Sequence, residues 1–288
     1  MKDFTDKVAV VTGGAGGIGR ALAEELVAEG CKLVVADVQQ DLLDETAATL
    51  GAKGEVLTVR TDVTDPDSVR ELADLTYERF GACHLLFNNA GVGAPSAAPW
   101  ESTANDWKWL LGVNVLGVVH GTQSFVPRML ESGEPGHIVN TSSGNGGIAP
   151  LPTAAPYAAT KAAVSAFTEC LAAELKAQDS NLSASIFYPS GGLLKTNLWE
   201  SERTRPTELT REVPRTSEAM TVAKLEASAA ARGHSLPWQD LNELARVVIE
   251  GLRAEQFIFM IGLESIGPTL RARADYLERG ELPPPAGH

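Results

Sequence analysis

With 288 residues, 44% of them hydrophobic, the chain is long enough to bury a full core and sits at the upper edge of a single α/β domain. Its 24 Lys and Arg against 37 Asp and Glu leave a formal net charge of −13 and no basic run, which argues against a nucleic-acid or anionic-membrane surface and for a small-molecule role. Cys31, Cys83 and Cys170 are odd in number, widely spaced and without a CxxC pair, so they read as reduced, mostly buried thiols rather than a disulfide framework or a zinc site.

The opening "MKDFTDKVAV" carries acidic residues and no long apolar segment, and no later run reaches the length of a membrane span. The expectation is a soluble, cytoplasmic protein. Short β-branched runs follow at 7–12, 32–37, 55–63, 84–91, 137–143 and 183–189. Between them lie apolar residues at helical spacing, such as Ile18, Leu22, Leu26 and Val27, or Val69, Leu72, Ala73 and Phe80. This alternation predicts right-handed βαβ units, hence an α/β, Rossmann-type doubly wound parallel sheet of about seven strands with helices on both faces. Phe87, Trp107, Phe125 and Phe167 are expected in the core. The strand rhythm stops near Asn197, where a polar stretch to Pro237, with a helix expected at 216–232, reads as an insertion that caps something. A helix at 239–253, a strand at 257–262 and a flexible tail at 280–288 complete one domain spanning 1–288.

Two stretches carry chemistry. "TGGAGGIGR" (12–20) directly follows the first strand; Gly14, Gly16 and Gly19 fit G-x-G-x-x-G, while Gly13, Gly17 and Gly19 fit T-G-x-x-x-G-x-G. In either spacing glycine lets the backbone turn tightly against a diphosphate seated at the amino end of the next helix; the plainer alternative is a flexible turn. Asp37 ends the second strand, where a carboxylate accepts from both adenosine ribose hydroxyls and repels a 2′-phosphate, favouring NAD over NADP. Its plainer alternative is a cap on a helix starting near Gln39. No Lys or Arg lies inside the loop, Arg20 being just beyond it.

These motifs, together with "DV" (62–63), "NNAG" (88–91), "GVNVLG" (112–117), "NTSS" (140–143) and "YAATK" (157–161), resemble the classical short-chain dehydrogenase/reductase family over about residues 5–190. The resemblance implies a cofactor site at Gly13, Gly17, Ile18, Gly19, Asp37, Val38, Asp62, Val63, Asn89, Ala90 and Gly91. It also implies a catalytic tetrad of Asn114, Ser143, Tyr157 and Lys161. Residues i and i+4 share a helix face, so Tyr157 and Lys161 project side by side. On a surface such a pair is ordinary; behind a phosphate loop it suits acid/base work. A free phenol with a pKa near 10 is a poor base, and a neighbouring ammonium with the positive nicotinamide ring favours the phenolate. Lys161 would hold the nicotinamide ribose, Asn114 a water on a proton path, and Ser143 would donate to the substrate oxygen. Ser142, one residue earlier, should point into the sheet. For Asn114 the plainer reading is a cap or kink in its helix.

Two stretches depart from the family pattern. The Ser143–Tyr157 interval is one residue longer than usual, and "YPSGGLLKTNLW" places seven residues from Pro189 to Thr196 where five are common. The Leu194 backbone and the Thr196 hydroxyl are the expected carboxamide contacts, with Pro189 also in the cofactor site; the alternative is a glycine-flexible loop that orders only when cofactor binds. Asn145, Leu151, Leu193 and Trp199, with Val92, form the expected substrate pocket. Its low charge suits an apolar or aromatic secondary alcohol or its ketone, and the 197–237 segment would be a helical substrate lid. The 125–143 segment and the long polar stretch are similar to those of bacterial dehydrogenases acting on bulky aryl or alicyclic secondary alcohols, including lignin-type aryl ethers. Relatives assemble as homodimers or homotetramers through helices corresponding to 102–131 and 155–178. The alternatives are an NADPH-dependent carbonyl reductase of the same fold and a non-catalytic NAD(H) sensor.

Overall fold

Strands and helices alternate as the apolar patterning dictates in the computed structural model, which describes residues 1–93, 96–214 and 220–283. They run β1 (Val8–Thr12), α1 (Gly17–Ala28), β2 (Lys32–Asp37), α2 (Gln40–Leu50), β3 (Val56–Arg60), α3 (Pro66–Phe80), β4 (Leu85–Asn88), α4 (Ala104–Leu111), α5 (Gly117–Ser132), β5 (Gly136–Thr141), α6 (Gly144–Gly147), α7 (Ala155–Ala177), β6 (Leu182–Phe187), α8 (Val222–Ala230), α9 (Leu241–Arg253), β7 (Ile258–Phe259) and α10 (Gly267–Glu278). The strands form one parallel, seven-stranded sheet in the order β3-β2-β1-β4-β5-β6-β7. The sheet grows outward from β1 to β3, then restarts at β4 on the other side. The crevice beyond the carboxyl ends of β1 and β4 is therefore the topological switch point, where open α/β sheets bind ligands.

Period-two alternation divides the core between the two faces. Ala9, Val11, Leu33, Val35, Leu85, Phe87 and Val139 pack with Leu22 and Leu26 of α1, Leu43 of α2 and Val248 of α9. Val10, Val34, Ala36, Leu86 and Ile138 face the other way, against Leu72 of α3, Phe125 and Met129 of α5 and Leu175 of α7. Below the crevice Asn88 Nδ2 donates to Asn140 Oδ1 (2.9 Å), and Asn140 Nδ2 donates to Thr168 Oγ1 (3.0 Å), tying β4, β5 and α7 together with buried amides. Among the described residues no helix is long and apolar enough to cross a membrane.

Several expectations need correction. Strands β3 and β4 are shorter than 55–63 and 84–91, because the chain leaves the sheet as soon as it reaches the crevice. Strand β7 holds two residues rather than six. The helix expected at 216–232 is α8, beginning at Val222; residues 215–219 lie outside the described set, as do 284–288 of the expected tail. Helix α10 has no counterpart among the expected elements, because it buries no residue and so shows no apolar stripe. Of the three thiols expected to be mostly buried, Cys31 and Cys83 are buried and Cys170 is exposed. Trp107 and Phe167 are only half-buried. The buried tryptophan of α4 is Trp109, which shares a helical face with Asp106 and Leu110, whereas Trp107 lies off that face.

Candidate active site

Immediately past β1 the backbone turns through glycine. Gly13 (φ 61°) and Gly17 (φ 53°) occupy the left-handed region that L side chains avoid, so the chain uses the T-G-x-x-x-G-x-G spacing. At Gly19 a Cβ would collide with the Gly13 carbonyl oxygen and come within 2.6 Å of Asn89 Nδ2. Helix α1 then starts at an N-cap, Gly16, with no side chain capping it, leaving its first amides open to an anion. The rim is braced from β4: Thr12 Oγ1 accepts from the amides of Asn89 (3.0 Å) and Ala90 (3.1 Å), and Asn89 Nδ2 donates to Thr12 O (3.0 Å).

At the tip of β2 the Asp37 carboxylate is buried and accepts from the amides of Ala15 (3.3 Å) and Gln39 (3.1 Å). It does not cap α2, whose N-cap is Gln39. Asp62 accepts from the amide (2.9 Å) and hydroxyl (2.8 Å) of Thr64, fixing the turn after β3. A glycine arc, an uncapped helix end and a carboxylate one strand away together fit an adenine dinucleotide.

Ser142 and Ser143 diverge as adjacent residues of an extended chain must. Ser142 Oγ donates inward to Lys161 O (2.7 Å), while Ser143 caps α6 and its hydroxyl lies near enough to the Tyr157 phenol to lower its pKa. Lys161 is buried; its Nζ donates to Thr141 O (2.8 Å) and lies 5.9 Å from the Tyr157 ring centroid. Burial brings the Lys161 pKa down to about 8. Burial also pushes the Tyr157 phenol above its ordinary value, more than the Ser143 hydrogen bond lowers it. The expected lowering invokes Lys161 together with the positive nicotinamide ring; in the chain alone, desolvation of the phenolate sets the direction.

Asn114 departs from expectation. It is fully buried in the π-turn Gly112–Leu116, with Nδ2 donating to Val92 O (3.0 Å) and Thr160 Oγ1 (3.1 Å) and Oδ1 accepting from Val92 N (2.8 Å). Both amide hydrogens are committed to protein, so its side chain braces the segment after β4. The other candidates do converge: Gly13 to Gly91 of the cofactor set, Ser143, Asn145, Leu151, Tyr157, Lys161, Pro189, Leu193, Leu194, Thr196 and Trp199 all line one cleft of about 530 Å³.

The segment after β6 closes one wall of that cleft. Trp199 Nε1 donates to Leu194 O (2.8 Å), and the Gly93 amide donates to Ser201 Oγ (2.9 Å). Farther on, Asp106 of α4, buried, accepts from Arg205 Nη1 (2.7 Å) and from Arg211 Nη1, and the Arg205 guanidinium stacks over Trp109 at 5.1 Å. Burial opposes ionisation of Asp106, but the Thr103 amide and the two guanidinium groups outweigh it and hold its pKa below the usual carboxylate value. Its stabilising contribution is thus complete above the ordinary carboxylate range and lost as pH falls through the lowered folded value. Asp106→Ala should cost about 2–4 kcal/mol, because two guanidinium groups lose their buried counter-charge. Thermal unfolding measures the loss, and Asp106→Asn should flatten the acid limb of the stability profile.

Trp109, Val113, Asn197, Ser201 and Arg203 also line the cleft and were not singled out from sequence. Trp109 was legible from the face it shares with Asp106; the others reach the cleft through contacts with distant segments, which leave no local signal.

Residues 7–206 match the family model described as short chain dehydrogenase. A C alpha-dehydrogenase from Sphingobium sp. (strain NBRC 103272 / SYK-6) is 39% identical over 209 residues, 72% of this chain and 66% of that protein. A CLA biosynthesis dehydrogenase/reductase from Lactiplantibacillus plantarum is 34% identical over 209 residues, 72% of each protein. Among solved structures, a short chain dehydrogenase/reductase from Burkholderia phymatum in complex with NAD superposes with a TM-score of 0.87 at 39% identity, covering 99% of this chain and 98% of that one.

Proposed function

The chain belongs to the short chain dehydrogenase family of oxidoreductases, and we propose that it exchanges hydride between NAD and a bulky, largely apolar secondary alcohol or its ketone, with Tyr157 as acid/base. The observation that carries this reading is the grouping of Tyr157, Ser143 and Lys161 on the wall of the cleft that the glycine loop also lines, with Lys161 Nζ 5.9 Å from the Tyr157 ring centroid. Bound nicotinamide would supply the hydride chemistry. Tyr157 would give or take the hydroxyl proton, and Ser143 would donate to the same oxygen where negative charge develops. Lys161, aimed by the Thr141 carbonyl, would hold the nicotinamide ribose and favour the phenolate. Asn114 is assigned a positioning role, fixing Val92 beside this group.

NAD as cofactor is supported by Asp37 and by the Burkholderia relative's complex with NAD. The nearby Arg60, strand partner of Asp37, donates instead to Val38 O (3.4 Å) and is not among the residues lining the cleft. Asp37→Ala should narrow the preference for NAD+ over NADP+ about tenfold or more, the worth of hydrogen bonds to a charged group; relative KM values check it. An NADP+ preference in the unaltered protein would favour the carbonyl-reductase alternative.

The substrate class rests on Val92, Trp109, Val113, Leu151, Leu193 and Trp199, an apolar wall, with the 197–237 segment, whose residues as far as Pro206 line the cleft, acting as a lid. Screening secondary alcohols by NADH absorbance tests it. Aryl and alicyclic alcohols should far outpace sugars and hydroxy acids, and the reverse order would overturn the assignment. Assembly as a homodimer or homotetramer through α4, α5 and α7 belongs to the same proposal.

A further inference from the structure

Gly16 poses a question that its own backbone does not answer. It is one of the free positions in T-G-x-x-x-G-x-G, and its φ of −146° and ψ of 163° are extended values open to any residue. Space, not conformation, is what a side chain there would violate. A Cβ on Gly16 would lie 2.6 Å from Asn197 Nδ2, and the next atoms it meets are 3.7 Å and 3.8 Å away. The missing side chain at position 16 is therefore matched by one residue, supplied from 181 positions further along the chain.

Asn197 is held there by its neighbours. Thr196 packs on Gly17, whose Cβ would stand 3.2 Å from that of Thr196, and its hydroxyl accepts from the Leu198 amide (3.4 Å) to start the 197–204 turn. The Trp199 and Ser201 hydrogen bonds fix the turn on its far side. Among the described residues the Asn197 amide itself makes no hydrogen bond, is exposed and lines the cleft. It sits beside the N-cap of α1, whose first amides have no capping side chain.

We propose that Asn197 closes the phosphate cradle from above, its Nδ2 donating to the diphosphate of a dinucleotide seated on the amino end of α1, and that Gly16 is glycine to admit it. A neutral amide donor complements the helix end there, and ligand charge then meets donors on two sides. The inference rests on the reading of the cleft as a dinucleotide site.

The test uses the full-length protein and calorimetric titration with ADP-ribose and with adenosine, so that it reads binding without turnover. Asn197→Ala should weaken ADP-ribose about tenfold, the scale of a hydrogen bond to a charged group. Asn197→Asp should weaken it further, and adenosine affinity should stay unchanged in both. Gly16→Ala should cost about as much alone as Asn197→Ala, yet add little to it in the double variant, because both remove one contact. Unchanged ADP-ribose affinity in Asn197→Ala, equal losses for adenosine, or additive losses in the double variant would overturn the proposal while leaving the dinucleotide reading intact. Failure of the unaltered protein to bind ADP-ribose would overturn that reading itself.

Discussion

Tyr157→Phe should lower turnover by about 10²–10⁴-fold, the usual worth of a positioned acid/base, while NADH affinity stays within about twofold of the unaltered protein. The substitution removes one oxygen and keeps the ring that packs beside Val92, Trp109 and Leu110, so loss of fold does not confound it. Ser143 keeps its own contact, accepting from the Asn145 amide at 3.2 Å. Unchanged turnover in this variant would defeat the acid/base assignment. Absence of turnover in the unaltered protein, with NADH bound normally, would favour the sensor alternative.

The direction of the two pKa shifts sharpens this expectation. Burial raises the Tyr157 phenol and brings Lys161 down to about 8. Beside a positively charged ring the Lys161 ammonium is disfavoured and the Tyr157 phenolate favoured, so each group sheds its proton more readily in the presence of NAD+. By linkage, NAD+ affinity should rise with pH as each group passes from its NAD+-lowered pKa up to its free value, the Lys161 share being complete by about 8 and the Tyr157 share lying at more alkaline pH, while NADH affinity should not. Tyr157→Phe should remove the phenol's share of that rise. Titrations with both coenzymes between neutral and alkaline pH measure it, and a parallel pH response for NAD+ and NADH would contradict the shared environment of the two groups.

Gly19→Ala should be the most damaging single change in the phosphate loop. The added Cβ meets the Gly13 carbonyl oxygen and Asn89 Nδ2, one of them backbone and the other already hydrogen-bonded to Thr12 and Gly13 carbonyls. Neither can yield without opening the arc between β1 and α1. The expected cost is about 2–3 kcal/mol of overpacking, or roughly 5–10 °C in Tm, together with loss of measurable dinucleotide binding. Gly144→Ala is the control, since its Cβ would find only Ile148 Cδ1 at 3.7 Å and should leave Tm within about 2 °C. Tm and ADP-ribose titration measure both variants; equal behaviour would mean that close packing at Gly19 is not what the loop requires.

Local sequence determined a good deal of this protein. Alternating β-branched runs and amphipathic stretches encode the doubly wound sheet, because period 2 and period 3.6 are properties of adjacent residues. The glycine loop was legible for the same reason, although only the positive φ angles of Gly13 and Gly17 chose between its two overlapping spacings. Tyr157 and Lys161 were legible because residues four apart on a helix are neighbours.

Tertiary structure decided what depends on segments distant in the chain. Asn114 looked like a residue facing the cleft and is instead consumed by Val92 and Thr160, 22 and 46 positions away. Asp106, Arg205 and Arg211 form one buried charge cluster across about a hundred residues, and Asn197 meets Gly16 across a longer span. The direction of the Tyr157 shift likewise follows from how deeply the fold desolvates the phenol. Periodicity reports which face of an element is apolar, but not which residue of another element will press against it; that is fixed only when the sheet and its helices pack.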